Sequence, residues 1–119
     1  MKKPREQDTV AAILTLLRAH RIPAWRMNTG AFVAEHKGVR RFHRFGAKGM
    51  ADILGVLRQS CTPPPAPTGR FLAIEVKQRG RKPTPEQQRF LDEVAMAGGL
   101  AFVAYSVADV QQMLGLGGA

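Results

Sequence analysis

The chain has 119 residues, an apolar content ordinary for a folded protein and a net charge of +9. That length suits a single domain, residues 1–119, and excludes two. No run of about eighteen apolar residues occurs, which excludes a membrane-spanning helix, and the charged start MKKPREQD lacks the apolar core of a secretory signal.

Such a positive charge on a small domain suits an anionic partner, nucleic acid above all. Cys61 is the only cysteine, so no internal disulfide can form. With three scattered histidines, a structural zinc site is not expected. A lone thiol fits a reducing, cytoplasmic setting.

Val10, Ile13, Leu14 and Leu17 recur at helical spacing and predict a helix over 6–20. IPAWRMN, 22–28, reads as a short strand and Thr29-Gly30 as a turn. Residues 31–35 and 39–45 read as a hairpin about His36, Lys37 and Gly38. Trp25 and Phe42 are expected in the core in preference to serving as base-stacking platforms. Residues 51–57 read as a strand carrying Asp52. SCTPPPAPTG follows, a proline-rich segment that cannot be a central strand. We expect it to form the long tip, 58–70, of a hairpin between 51–57 and FLAIEVK at 71–77.

After the basic turn QRGRKP, Thr84 and Gln87 have the spacing of a capping box, with Pro85 at the first helical position. Phe90, Leu91, Val94 and Ala97 form the apolar stripe of that helix, and Gly98-Gly99 ends it. LAFVAY, 100–105, reads as a strand, Ser106 as the cap of a helix over 107–114, and 115–119 as a frayed tail. The passage from FLAIEVK through a helix to LAFVAY is long enough for a right-handed parallel crossover. The expected fold is α/β, a mixed central sheet flanked by helices on both faces, in the order α-β-β-β-β-β-α-β-α.

The chemistry concentrates in FLAIEVK. Side chains alternate along a strand, so Glu75 and Lys77 share a face and Val76 points away. By itself this is equally compatible with a surface ion pair. If the strand carrying Asp52 lies alongside, two carboxylates and an ammonium converge. Paired carboxylates stay ionised only when a cation holds them, and Mg²⁺ and Mn²⁺ prefer oxygen ligands. Asp52, Glu75 and the backbone carbonyl of Val76 are the candidate metal ligands. Lys77 is placed to steer a water or a phosphate. Two acid-free basic stretches flank the spot: Lys37, Arg40, Arg41, Arg44 and Lys48, and then Arg79, Arg81 and Lys82. They are the expected DNA-binding surface. The parts agree with metal-dependent cleavage of a phosphodiester backbone.

GMADILGVL, followed by IEVKQRGRKPTPEQQRFLDEVAMAGGLAFVAYS, resembles the VRR-NUC domain, a branch of the PD-(D/E)XK, restriction-endonuclease-like superfamily. The motif is G-x-x-D, then E-x-K, then T-P-E-Q, and the resemblance runs from the first helix to the last. It implies a divalent-metal-dependent DNA endonuclease with Mg²⁺ or Mn²⁺ at the site. Asp52 and Glu75 match the metal-binding acids and Lys77 the motif lysine. Gln87 matches a glutamine that borders the site, a role that can coexist with capping. Glu6 matches the acid often contributed by the first helix, with Asp8 as the other candidate there. Stand-alone members of this size are known mainly from phages and bacteria. They are similar to Holliday-junction resolvases and act as homodimers, which implies branched DNA as substrate. A monomeric nicking or flap nuclease, or a silent DNA-binding module, would be the alternatives.

Overall fold

A computed structural model of the chain describes residues 2–27, 30–45, 48–59 and 67–117, with the side chains of 30–35 and 41–45 set aside. The expected readings of Asn28 and Thr29, of Cys61 and Pro63 to Pro65, and of the last two residues lie outside that description.

The order is α1 (Glu6–Ala19), β1 (Ala24–Arg26), β2 (Gly30–His36), β3 (Val39–Phe45), β4 (Ile53–Gln59), β5 (Thr68–Val76), α2 (Pro85–Met96), β6 (Leu100–Ala104) and α3 (Val107–Leu114). β1, β4, β5 and β6 form a four-stranded sheet in that spatial order, while β2 and β3 form a separate two-stranded sheet. β1 and β5 flank β4 antiparallel, and β5 pairs with β6 in parallel. The mixed α/β architecture expected from the sequence is therefore present.

β5 is the strand around which the core condenses. Leu72 through Val76 are all buried, as expected for a strand covered on both faces. Leu72, Ile74 and Val76 point to one side, where they meet Ile13, Leu14 and Leu17 of α1 and Val110 of α3. Ala73 points to the other, towards Leu91 of α2, with Phe90 and Val94 closing around it. One face of the sheet is thus covered by α1 and α3 and the other by α2.

Several boundaries differ from expectation. The β4–β5 ladder runs on through Arg58↔Gly69 and Gln59↔Thr68, so the strands extend into the segment assigned to the tip. Asp52 lies just ahead of β4 and Lys77 just past β5, at strand ends and not within strands. Gly115 and Leu116, read as the start of a frayed tail, close α3: Gly115 takes the left-handed conformation, Leu116 N–H donates to the Gln111 carbonyl at 2.9 Å, and Leu116 packs on the core, a Schellman-type cap. Ala97, assigned to the buried stripe of α2, is exposed. Trp25, expected in the core, is 56% exposed, because β1 is an edge strand.

The β2–β3 turn follows local rules. Lys37 and Gly38 both have positive φ, 51° and 76°, the pattern of a type I′ two-residue turn, whose twist matches that of the flanking strands. No described helix is long and apolar enough to cross a membrane.

Candidate active site

The site is assembled by strand register. The last pair of the β4–β5 ladder is Ile53↔Ile74. One step further along the same register, Asp52 stands opposite Glu75. Directly opposed side chains of antiparallel strands project from the same face, so the two carboxyl groups meet on the α2 side.

What holds Asp52 there is the loop before it. Gly49 has φ +86°, and a Cβ on it would stand 2.6 Å from the backbone oxygen of Glu86 in the first turn of α2. Only glycine permits that approach. Lys48 reinforces it with an ion pair to Glu86 at 3.3 Å. Gly49 therefore serves backbone approach, and Lys48, expected on DNA, is paired within the protein.

Asp52 Oδ2 accepts from the Val76 N–H at 2.8 Å. The next amide, Lys77 N–H, donates to the Ala104 carbonyl of β6 at 3.1 Å. The one after, Gln78 N–H, donates to Glu6 Oε2 at 3.1 Å. Three successive amides at the end of β5 are each held, two of them by carboxylates. N–H and C=O of one strand residue point to the same neighbour, so the Val76 carbonyl faces the Asp52 side, past the last ladder pair.

Glu75 is 2% exposed, and its Oε1 has no hydrogen-bond partner among the described residues. Its carboxyl is pushed up to about 9, first by burial, then by hydrogen bonding and charge repulsion from Asp52. Glu6 raises it further and Lys77 opposes. Glu6, Asp52 and Lys77 thus all act on Glu75 at one strand end. Asp8 does not join them; it is exposed and ion-paired with Arg5 at 3.0 Å. Gln87 is engaged at the helix start. Its Oε1 accepts from the Thr84 N–H at 2.9 Å while its own N–H donates to Thr84 Oγ1 at 3.2 Å, and it makes no hydrogen bond to either carboxyl group. Among the described residues no group of three or more His, Cys, Asp and Glu is arranged to hold a metal ion. Glu75, Asp52 and the Val76 carbonyl are nevertheless oxygen donors, the chemistry that a hard cation accepts.

Of the expected DNA-binding residues, Lys37, Arg40, Arg79, Arg81 and Lys82 are exposed. The side chains of Arg41 and Arg44 fall outside the description. The sequence did not reveal the N-terminal strap over the end of β5. Lys3 Nζ donates to the Arg79 carbonyl at 2.9 Å, and Gln78 Nε2 donates to the Pro4 carbonyl at 3.0 Å. No periodicity signals contacts between residues so far apart in the chain.

Comparison with known proteins gave no match among curated proteins and none among solved structures. The family model of the VRR-NUC domain matches residues 2–108. That match spans α1 through the start of α3 and includes every residue of the carboxylate cluster, so the chain belongs to the VRR-NUC family of DNA-binding nuclease domains.

Proposed function

We propose that this domain is a Mg²⁺- or Mn²⁺-dependent endodeoxyribonuclease that selects DNA by shape and backbone charge. The observation that carries the reading is the Asp52–Glu75 pair with its unpartnered buried oxygen. A buried carboxyl with an orphaned oxygen is costly, and a divalent cation would serve that oxygen. Asp52, Glu75 and the Val76 carbonyl would hold the ion. When bound, it supplies neutralisation of phosphate charge and a lowered water pKa.

The protein's own groups do the rest. Asp52 keeps its place through the Val76 amide. Glu75 would hold the cation as a carboxylate, having released the proton that burial and Asp52 keep on it. Lys77, anchored through its amide on Ala104, directs its ammonium at the phosphate or the attacking water. Glu6 fixes the chain just beyond Lys77. Arg79, Arg81 and Lys82 on one side, and Lys37 and Arg40 on the hairpin, draw in the phosphate backbone. No described helix presents a row of base-reading side chains, which favours structure over sequence as the basis of selection. Four-way junctions are the first substrate to try, with a homodimer offering two sites to opposed strands.

The test is cleavage of labelled four-way junction, flap, duplex and single-stranded DNA with Mg²⁺, Mn²⁺ or EDTA. Cutting should require metal, and Lys77→Ala should bind DNA without cutting it. Binding without cutting by the wild type under every metal would leave a DNA-binding module. A monomeric mass in light scattering, at full activity, would remove the dimer.

A further inference from the structure

The helix α2 covers only part of the sheet face on which it lies. Ala73 sits beneath Leu91, and Leu54, Ala101 and Val103 close that cluster. Towards β1 the cover ends. Trp25 pairs with Leu54, and Val56 pairs with Phe71. Opposed residues share a face, and alternate residues along a strand repeat it. Trp25, Leu54, Val56 and Phe71 therefore lie on the face that carries Asp52 and Glu75. Trp25 is 56% exposed, Phe71 44% and Val56 37%. Arg58, two residues beyond Val56, is exposed at the end of the row.

The geometry points to this bare strip as a stacking platform for unpaired nucleotides of the substrate, leading to the carboxylates. The inference rests on the nuclease reading and adds to it a ligand: single-stranded DNA next to the cut. Three observations favour it. Two-residue steps along a strand are about 7 Å. The Trp25–Leu54 row is thus roughly 7 Å from Asp52 and Glu75, and the Val56–Phe71 row roughly 13 Å, a span of a few nucleotides. Beyond the two carboxylates the strip carries no acid and ends in Arg58, on a chain of net charge +9, which suits an anionic occupant over a neutral apolar one. Exposed flat aromatics beside cationic groups are how proteins hold unpaired bases irrespective of sequence.

Trp25 is the only tryptophan, so its fluorescence reports the strip directly. The protein would be titrated with oligothymidylate in EDTA at low salt, following tryptophan emission and, separately, the anisotropy of a labelled oligonucleotide. Quenching should saturate together with anisotropy. Phe71→Ala and Trp25→Ala should each weaken single-strand binding about tenfold. Trp25→Phe should retain it, and duplex binding should stay within about twofold in all three. Thermal melts should confirm that these exposed substitutions leave the fold intact. Unchanged tryptophan emission while anisotropy reports binding would overturn the platform. An emission shift that depends on protein concentration without DNA would also overturn it, since a second copy would then cover the strip. Failure of cleavage with intact quenching counts against the nuclease reading alone, and duplex cleavage without quenching counts against the platform alone.

Discussion

Asp52 and Glu75 face each other one register step past the last pair of the β4–β5 ladder, and burial first, then hydrogen bonding and charge repulsion from Asp52, keep a proton on Glu75. The folded protein without cation holds this carboxyl at about 9, well above the ordinary 4.5. Between those values the native state binds a proton that the unfolded chain releases. Stability without metal must therefore fall as pH rises from about 4.5 to about 9. The melting temperature in EDTA should decline over that window, and Glu75→Gln should flatten the decline. Calorimetry in buffers of different ionisation enthalpy should register close to one proton released when Mg²⁺ binds at pH 7. No pH slope and no released proton would mean that Glu75 is already ionised.

Asp52 has two separable roles, holding the Val76 amide and supplying charge. Asp52→Asn keeps an oxygen for the amide, so its fold should match the wild type while metal-dependent cleavage is lost. Asp52→Ala leaves that amide without its partner, a cost of about 1–3 kcal/mol. Denaturant unfolding should rank wild type and Asn together and Ala below them. Equal stability of all three would show that water replaces the carboxylate freely.

Gly49 should tolerate no side chain. Gly49→Ala adds a Cβ at positive φ and drives it to 2.6 Å from the Glu86 oxygen. Strain of that kind costs about 1–3 kcal/mol before the clash is counted, and relief would move the loop that carries Asp52. Both stability and cutting should fall. Loss of the Lys48–Glu86 pair is a useful contrast. Both partners are substantially exposed, so Lys48→Ala should change stability by well under 1 kcal/mol.

Much of this was legible in local patterns. The apolar spacing of α1 and the TPEQ start of α2 depend on nearby residues and formed as read; the 31–45 hairpin formed as well, but His36, read into its turn, ends β2 and leaves a two-residue turn of Lys37 and Gly38. Asp52 and Glu75 were legible as a pair because G-x-x-D and E-x-K lie at neighbouring strand ends. The misreadings concern packing between distant parts. Nothing near Trp25 tells that β1 lies beyond the cover of α2. Nothing in REQD separates Glu6 from Asp8. What decides between them is Gln78, 72 residues away, and the Arg5 that draws Asp8 outward.

Glu6 offers the sharpest test of how the first helix contributes. Its Oε2 holds the Gln78 amide at 3.1 Å, and its charge reaches Glu75. If it acts by fixing the chain beyond Lys77, Glu6→Gln retains an acceptor and most of the activity, whereas Glu6→Ala frees the end of β5 and slows cutting tenfold or more, as about 1.4 kcal/mol of misplaced transition-state contact would. If it acts by charge, as an outer partner of the cation, Gln fails as badly as Ala, and the Mg²⁺ concentration needed for half-maximal rate rises in both. Measuring that concentration alongside the maximal rate separates the two. Asp8→Ala is the control. It breaks only an exposed pair with Arg5, so it should leave rate and metal requirement unchanged; a loss there equal to that of Glu6→Ala would return Asp8 to the site.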